Sequence, residues 1–584
     1  MKNLFAKRKI RDLGQLAIGL VIVLLLILIS NFQFKRFDLT AEKRYSLSDS
    51  TKKILGNLKD NMLVTVYLEG NEKDMPVEFK RLRKATQEIL REFRYYSNGN
   101  FEYRFVDPFE NAMTDPELQK NIYYQLTEKG LVPTDIMQNT ASGKKVIQIF
   151  PGATVAYGGT EVPVQLLENQ FNQDPEFVLN QSIERLEYNF SKAFYKVMNY
   201  QRKKHVVFAR GHGEMFELNL ADMVKELREF YEVNAVNIGS DINVLTRQPV
   251  DCVIMAKPDT AFDDASRFIL DQYIMNGGKV LWLLDNVFTG MDSIGTKNYT
   301  VAVPYDLGLY EQLFKYGVRI NPTVIQDNEC AKIVLDIGNY GTQRNEQLLP
   351  WYYHPVITPD GQHPIVKNLN SIKLEFANSM DTIKTPGIKK TILLHTSNMT
   401  KVQYAPVRIS LNVVEQKPNL ETFSKDSVAV AVLLEGEFTS AFANRIVELG
   451  DLKAIKKSKP TKMIVVSDGD IIKNDFVINS EKQGDFNVAP LGLDTKTGTY
   501  YAGNKTFILN AVNYLTDDTW FIPLRSKDFR IRLLDKNKLN SKLKFAGQKF
   551  KMIDFLRAIN IVVPILLIII FGLIYNKIRK NRFA

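Results

Sequence analysis

The alternation of apolar and polar positions divides the chain into three stretches. Residues 13–29 are apolar but for Gln15, and residues 558–575 (AINIVVPILLIIIFGLIY) have Asn560 as their one strongly polar side chain. Eighteen residues at about 1.5 Å each reach roughly 27 Å, close to the hydrocarbon thickness of a bilayer. The pattern predicts two membrane helices, over 13–34 and 555–576, with residues 35–554 strung between them. A signal peptide is the alternative for the first, but NFQFKRF follows it where a small-residue cleavage site would stand. A buried core helix is the alternative for the second, opposed by its length, by Pro564 and by the basic residues after it.

In the middle the apolar runs shorten. SLSDS supplies N-cap residues for a helix over 51–58, followed by a strand at 63–68 (LVTVYL). A charged helix over 78–96 places Phe79, Leu82, Ile89, Leu90 and Phe93 near helical spacing. A strand at 101–106, a helix at 116–129 and strands at 146–150, 154–157 and 161–166 complete the region, with Gly158-Gly159 as a hairpin turn. The order βαβαββ over 40–172 is that of a thioredoxin-like domain. A redox thioredoxin needs its cysteine pair where Met75, Pro76 and Val77 stand, and the region holds no cysteine, so thiol exchange is excluded there. A helix over 174–203 reads as a connector.

From 204 to 522 short apolar strands (204–209, 233–238, 251–256, 280–284, 462–466) alternate with helices (218–231, 261–275, 309–316). That alternation predicts an α/β domain whose parallel sheet is covered on both faces. Residues 343–422 carry several short β runs and read as a β-rich insertion. Residues 523–554 form a basic juxtamembrane segment.

Charge then sets orientation. The net charge is +11, but residues 1–12 hold five basic side chains against Asp12 and residues 577–584 hold four, leaving about +3 for the middle. The basic balance therefore reports topology and not a nucleic-acid surface. Lys and Arg stay on the cytoplasmic side of short flanks, which puts both basic tails in the cytoplasm and the long middle on the outer face, although Lys35, Arg36 and Arg557 lie on the outer flanks. Cys252 and Cys330 fall in the exported part, either as one disulfide or as two separately buried thiols.

Candidate chemistry lies at the ends of the predicted parallel strands, where such sheets hold their ligands. Those ends carry His212 and Glu214, Lys257, Asp285, and Asp468 with Asp470, and the expectation is that their side chains converge on one crevice. Three uses follow: metal-assisted hydrolysis, ligand or partner contact, or plain turn architecture around Gly211 and Gly213. No GxSxG elbow or P-loop occurs, so no catalytic nucleophile is identified, and any ATP would be hydrolysed by another chain. No catalytic residue, metal or cofactor is assigned.

RYSLSDSTKKIL after the first anchor, then VVFARGHGE, NGGKVLWLLDN, VAVLLEGEFTSAF and MIVVSDGD, and a last membrane helix, stand in a specific order. This series resembles the auxiliary, so-called substrate-binding, component of gliding-motility-associated ABC transporters, of the uncharacterised ABC-type transport auxiliary class. The resemblance implies a two-pass protein of the bacterial inner membrane with a periplasmic Rossmann-like or glutamine-amidotransferase-like domain. It implies work beside a separate permease and ATPase, contacts with envelope or secretion proteins, and room for a homo-oligomer. Gly211-His212-Gly213 replaces the cysteine an amidotransferase would carry, which argues for a non-enzymatic accessory subunit. The rivals are an envelope hydrolase using His212, Glu214, Asp285 and Asp468, and a structural tether.

Overall fold

The computed structural model describes residues 46–522 with short interruptions (70–74, 113–114, 141–142, 168–174, 200–202, 240, 242, 292–293, 295–296, 341–342, 416–419, 424–425, 446–453, 479–485 and 520–521), residues 542–583 except 546–547, and eight residues between 14 and 25. The chain forms two compact units, Met1–Asp528 and Phe529–Ala584.

The first unit opens on α1 (Asp49–Gly56), capped by Ser48, whose Oγ accepts from Thr51 N at 3.1 Å. There follow β1 (Met62–Val66), α2 (Val77–Tyr96), β2 (Phe101–Phe105), α3 (Pro116–Glu128), β3 (Thr134–Thr140), β4 (Gly143–Ile149), β5 (Gly152–Tyr157), β6 (Thr160–Gln165) and α4 (Pro175–Met198). One sheet takes the order β2-β1-β5-β6, with β1 parallel to β2 and the other pairs antiparallel. Gly158 and Gly159, both at positive φ, turn β5 into β6, as a two-residue hairpin requires. The strand expected at 146–150 belongs instead to a separate hairpin, β3 with β4. Its first half, TDIMQNT, carries only two apolar residues and escaped the pattern.

The helix read as a connector, α4, is buried on two sides. Leu186, Phe190, Ala193, Phe194 and Val197 enter the core of the first sheet, where Phe93 meets Phe190 and Phe194 edge to face at 5.8 and 5.2 Å. Tyr188 and Tyr195 of the same helix pack against the core of the following sheet.

That second part contains β7 (His205–Arg210), α5 (Ala221–Arg228), β8 (Glu232–Asn237), β9 (Cys252–Ala256), α6 (Asp264–Met275), β10 (Val280–Leu283), β11 (Val287–Phe288), β12 (Tyr299–Pro304) and α7 (Tyr310–Tyr316). It continues with β13 (Val318–Ile320), β14 (Thr323–Asp327), β15 (Cys330–Tyr340), β16 (Gln343–Ile357), β17 (Ile372–Lys373), β18 (Met380–Thr382), β19 (Ile388–His395), β20 (Thr400–Tyr404) and β21 (Val407–Ser410). β22 (Ala429–Gly436), β23 (Thr461–Val466) and α8 (Gly503–Leu515) close it. Strands β23-β10-β9-β7-β8 are parallel neighbours, as the pattern predicts. β22 runs antiparallel to β23 and extends the sheet through β18 and β19, so the whole nine-stranded sheet is mixed. The β-rich stretch starts earlier than 343, because β15 pairs with β16 over most of its length. Asn276 and Gly277 end α6 as expected, with Gly277 at φ +97.

In the second unit a hairpin (Lys542–Phe545 with Gln548–Lys551) precedes α9 (Met552–Phe583), which contains Pro564. Within α9, Ile559–Asn581 is long and apolar enough to cross a membrane, and none of it is buried. It is the one such helix among the described residues. The expected first membrane helix, over 13–34, lies largely outside them, although its eight described residues are helical. The basic tail 1–12 and most of the juxtamembrane segment also lie outside.

Glu187 of α4 ties α1 to this frame. Its Oε1 accepts from Ser48 N at 2.7 Å and Thr51 Oγ1 at 2.8 Å, in a buried setting. Thr51 Oγ1 also meets Ser191 Oγ at 2.9 Å. Replacing a buried, doubly bonded carboxylate strands its donors, so Glu187→Ala is expected to lose about 2–3 kcal/mol in urea unfolding of the detergent-solubilised chain. An unchanged midpoint would mean that α1 is not held through α4.

Candidate functional site

The parallel strands deliver their polar residues to one edge, but in two separate groups. The first gathers around Lys257, the residue after β9. Its backbone lies at φ +51, a left-handed conformation that costs a non-glycine residue of order 1 kcal/mol or more. Gly469 makes room for it, since a Cβ there would stand 2.6 Å from Lys257 Cβ. The Lys257 ammonium contacts Asp470 and lies 3.3 Å from Asp285 Oδ2, and Asp285 Oδ1 accepts from Gly469 N at 2.6 Å. Asp468 is fully buried. Its Oδ1 accepts from Asp470 N at 2.8 Å and its Oδ2 from Glu375 N at 2.7 Å. The chain of charges continues through Lys473, 3.8 Å from Asp470 and 3.9 Å from Glu375, and through Lys373, which bonds Glu375 at 2.9 Å and Asp494 at 3.0 Å.

Burial sets the electrostatics of this group. It raises the Asp468 carboxyl well above its usual range, helped by the neighbouring Asp285 and Asp470. It also raises Asp285, against the pull of Lys257. Burial opposes the charge on Lys257, yet Asp470 and Asp285 outweigh it and hold the ammonium well above its usual pKa. Glu375 is buried too, but His354 when it carries a proton, and Lys373 and Lys473 at all times, keep it below the usual carboxylate range.

The second group is His212 and Glu214, in the turn after β7. Gly211 and Gly213 are at φ +114 and +67, and a Cβ on Gly213 would fall 1.6 Å from Asp259 Oδ1. Asp259 N and Thr260 N both donate to the His212 carbonyl at 3.0 Å. The turn thus packs directly on the loop after β9. These two loops flank the point where the strand order reverses, between β7 and β9, which is where open parallel sheets bind ligands. Here the GHGE turn fills that place. The imidazole stacks on Phe262 with centroids 3.8 Å apart, and Glu214 Oε2 accepts from His212 N at 2.9 Å.

Ser266, which no motif singled out, completes a line of groups. His212 Nε2 lies 3.2 Å from Ser266 Oγ and Nδ1 lies 3.6 Å from Glu214 Oε1. Serine, imidazole and carboxylate in that order are the parts of a hydrolytic triad. Ser266, however, is 1 % exposed and sits in the first turn of α6, whose cap Asp263 binds its N–H at 2.8 Å. Phe262 stacks on the imidazole beside the buried hydroxyl. The line fixes the turn in place.

The expected convergence of His212, Glu214, Asp285, Asp468 and Asp470 is therefore corrected. Asp285, Asp468 and Asp470 meet around Lys257, while His212 and Glu214 face Phe262 and Ser266. Among the described residues no group of three or more His, Cys, Asp or Glu is placed to hold a metal ion. Cys252 and Cys330 are free thiols, which removes the disulfide alternative; burial raises them to about 12 and about 11. The sequence pattern missed Lys373, Glu375 and Asp494, because they come from the β-rich stretch and from a loop near α8, far from any strand of the parallel set.

Both groups lie inside a span matched by a known family, described as ABC-type uncharacterized transport system, over residues 203–511. The chain belongs to this family. A second match, to a domain of unknown function, covers residues 41–156 and so takes in α1 to β5. No curated protein matches. Among solved structures the chain is similar to the mmIFT52 N-terminal domain at 12% identity, over 53% of this chain and 97% of that one, with a TM-score of 0.28, too low to carry an argument. Membership in the ABC-type transport family supports an accessory role in such a system. The matched span begins beside β7 and ends within α8, so the family's own segment is the sheet with its buried charges.

Two substitutions test whether these charges and turns hold the ABC-type domain together. Lys257→Met leaves Asp285 with no ammonium and Asp470 with only the more distant Lys473, and is expected to cost about 3 kcal/mol or more in urea unfolding. Gly213→Ala meets Asp259 at positive φ and is expected to cost at least about 2 kcal/mol. Wild-type midpoints for both would show that the edge is a loose surface.

Proposed function

We propose that this chain is a non-enzymatic, membrane-anchored accessory subunit of an ABC transporter that serves bacterial gliding motility, acting beside a separate permease and a separate ATPase. The observation that carries the reading is the family match over residues 203–511. The apolar stretch Ile559–Asn581 supports a membrane anchor. Together with the apolar residues 13–29 it supports a two-pass topology in the inner membrane, with both basic tails cytoplasmic and the bulk periplasmic. The strand order β2-β1-β5-β6 supports a thioredoxin-like first domain without its redox cysteines, and β8-β7-β9-β10-β23 supports a Rossmann-like second one.

The absence of enzymatic activity is supported by how the polar residues are used. Each carboxylate of the Lys257 group is bound by an ammonium or a backbone N–H, and the His212 turn occupies the switch-point crevice. A metal-assisted hydrolase would need His212, Glu214, Asp285 and Asp468 around one centre, and they stand in two.

The test is co-purification from membranes in mild detergent. Full-length chain is expected to bring a permease and an ATPase with it, and a chain truncated before Met552 is expected to lose both while keeping its far-UV circular dichroism. Gliding should fail in cells carrying the truncated form. A full-length chain that purifies alone, or cells that glide normally with the truncated form, would overturn the reading.

A further inference from the structure

The pairing of β15 with β16 breaks at one place. Cys330 faces Pro355 and Lys332 faces Pro350, so residues 351–354 stand opposite Ala331 alone. Bulges of this kind re-aim side chains, and the two prolines that bound it bring no N–H to the ladder. Within the bulge Trp351 is fully buried and His354 is 3% exposed. The imidazole meets the Trp351 ring at 6.3 Å and the Phe376 ring at 5.1 Å, edge to face in both cases. Neither ring nitrogen of His354 has a hydrogen-bond partner, and Trp351 Nε1 has none either. Phe376 is itself strained, at φ +53, a conformation rare for a bulky residue. Unpartnered buried nitrogens and strained backbone thus share one place, directly behind Glu375.

The surroundings leave the ring uncharged. Burial lowers His354 from 6.5 to about 4. Glu375, Asp470 and Asp494 favour a proton on it, while Lys373 opposes one. From β15 the bulge faces Cys330, a thiol that burial keeps neutral, and within the bulge Tyr353 donates to Gln403 Oε1 at 2.9 Å. The bulge is also coupled to the Lys257 group. Tyr353 O accepts from Phe376 N at 2.9 Å, and the neighbouring Glu375 N is the donor to Asp468 Oδ2.

We propose that residues 351–354 form a proton-operated latch over the carboxyl edge of the parallel strands. A proton on His354 places a cation between Trp351 and Phe376 with no acceptor on either nitrogen, and turning the bulge outward to water relieves it. Outward movement pulls on residues 374–376 and takes Glu375 N from Asp468, uncovering the acids of the SDGD turn. Because the folded pKa lies below the unfolded one, the closed latch is fully favoured above about pH 6.5 and weakens as the pH falls toward 4.

Tryptophan emission of the full-length chain in detergent tests this between pH 7 and pH 4. The Trp351 signal is taken as the difference between wild type and Trp351→Phe. It is expected to shift to the red reversibly along a one-proton curve, before any loss of far-UV circular dichroism. His354→Phe is expected to abolish the shift. So is His354→Gln, which takes up no proton in this range and decides the matter if the phenylalanine variant does not fold. A flat wild-type signal, the same curve in the histidine variants, or a shift that coincides with global unfolding would overturn the proposal.

Discussion

Lys257 holds its ammonium between Asp285 and Asp470 at the edge where five parallel strands end. Asp285 and Asp470 brought this close would repel one another and would be costly to bury, and the cation between them offsets that cost, while backbone N–H groups hold the buried Asp468. The cation comes at the expense of a left-handed backbone on a lysine, which the side-chain-free Gly469 opposite makes sterically feasible. The remaining acids and lysines then extend the pattern outward, and they clasp the β-rich stretch to the sheet through Glu375 and Lys373.

This arrangement bears on what a sheet of this kind is used for in a transport family. The usual ligand crevice depends on open loops at the strand ends. In this chain one loop is zipped onto its neighbour through Gly213 and Asp259, and the others are occupied by paired charges. The edge behaves as a junction between parts of the chain.

Much of the frame was legible in the sequence, for identifiable reasons. The five parallel strands are short apolar runs with turn residues after them, and they appear where the pattern puts them. α2 and α6 carry clear apolar faces, and Gly277 marks the end of α6. The direction of β22 was not legible, since an interior strand reads alike whether its neighbour runs with or against it. β3 was missed because polar residues interrupt it. The site was legible only in part. Residues at strand ends were found because position alone flags them, but their grouping depends on which loops lie between, and Pro258-Asp259-Thr260 separates His212 from Asp285. Ser266, Glu375 and His354 carry no local signal, because each gains its meaning from a partner distant in sequence.

The helix α4 has one face in each of two cores, with Phe190 and Phe194 on one side and Tyr188 and Tyr195 on the other. A hinge between the four-stranded and the nine-stranded parts would have to strip aromatic rings from one core or the other. Aromatic packing on both sides of one helix therefore opposes motion of one part against the other, and Glu187 and Ser191 fasten α1 to that same helix.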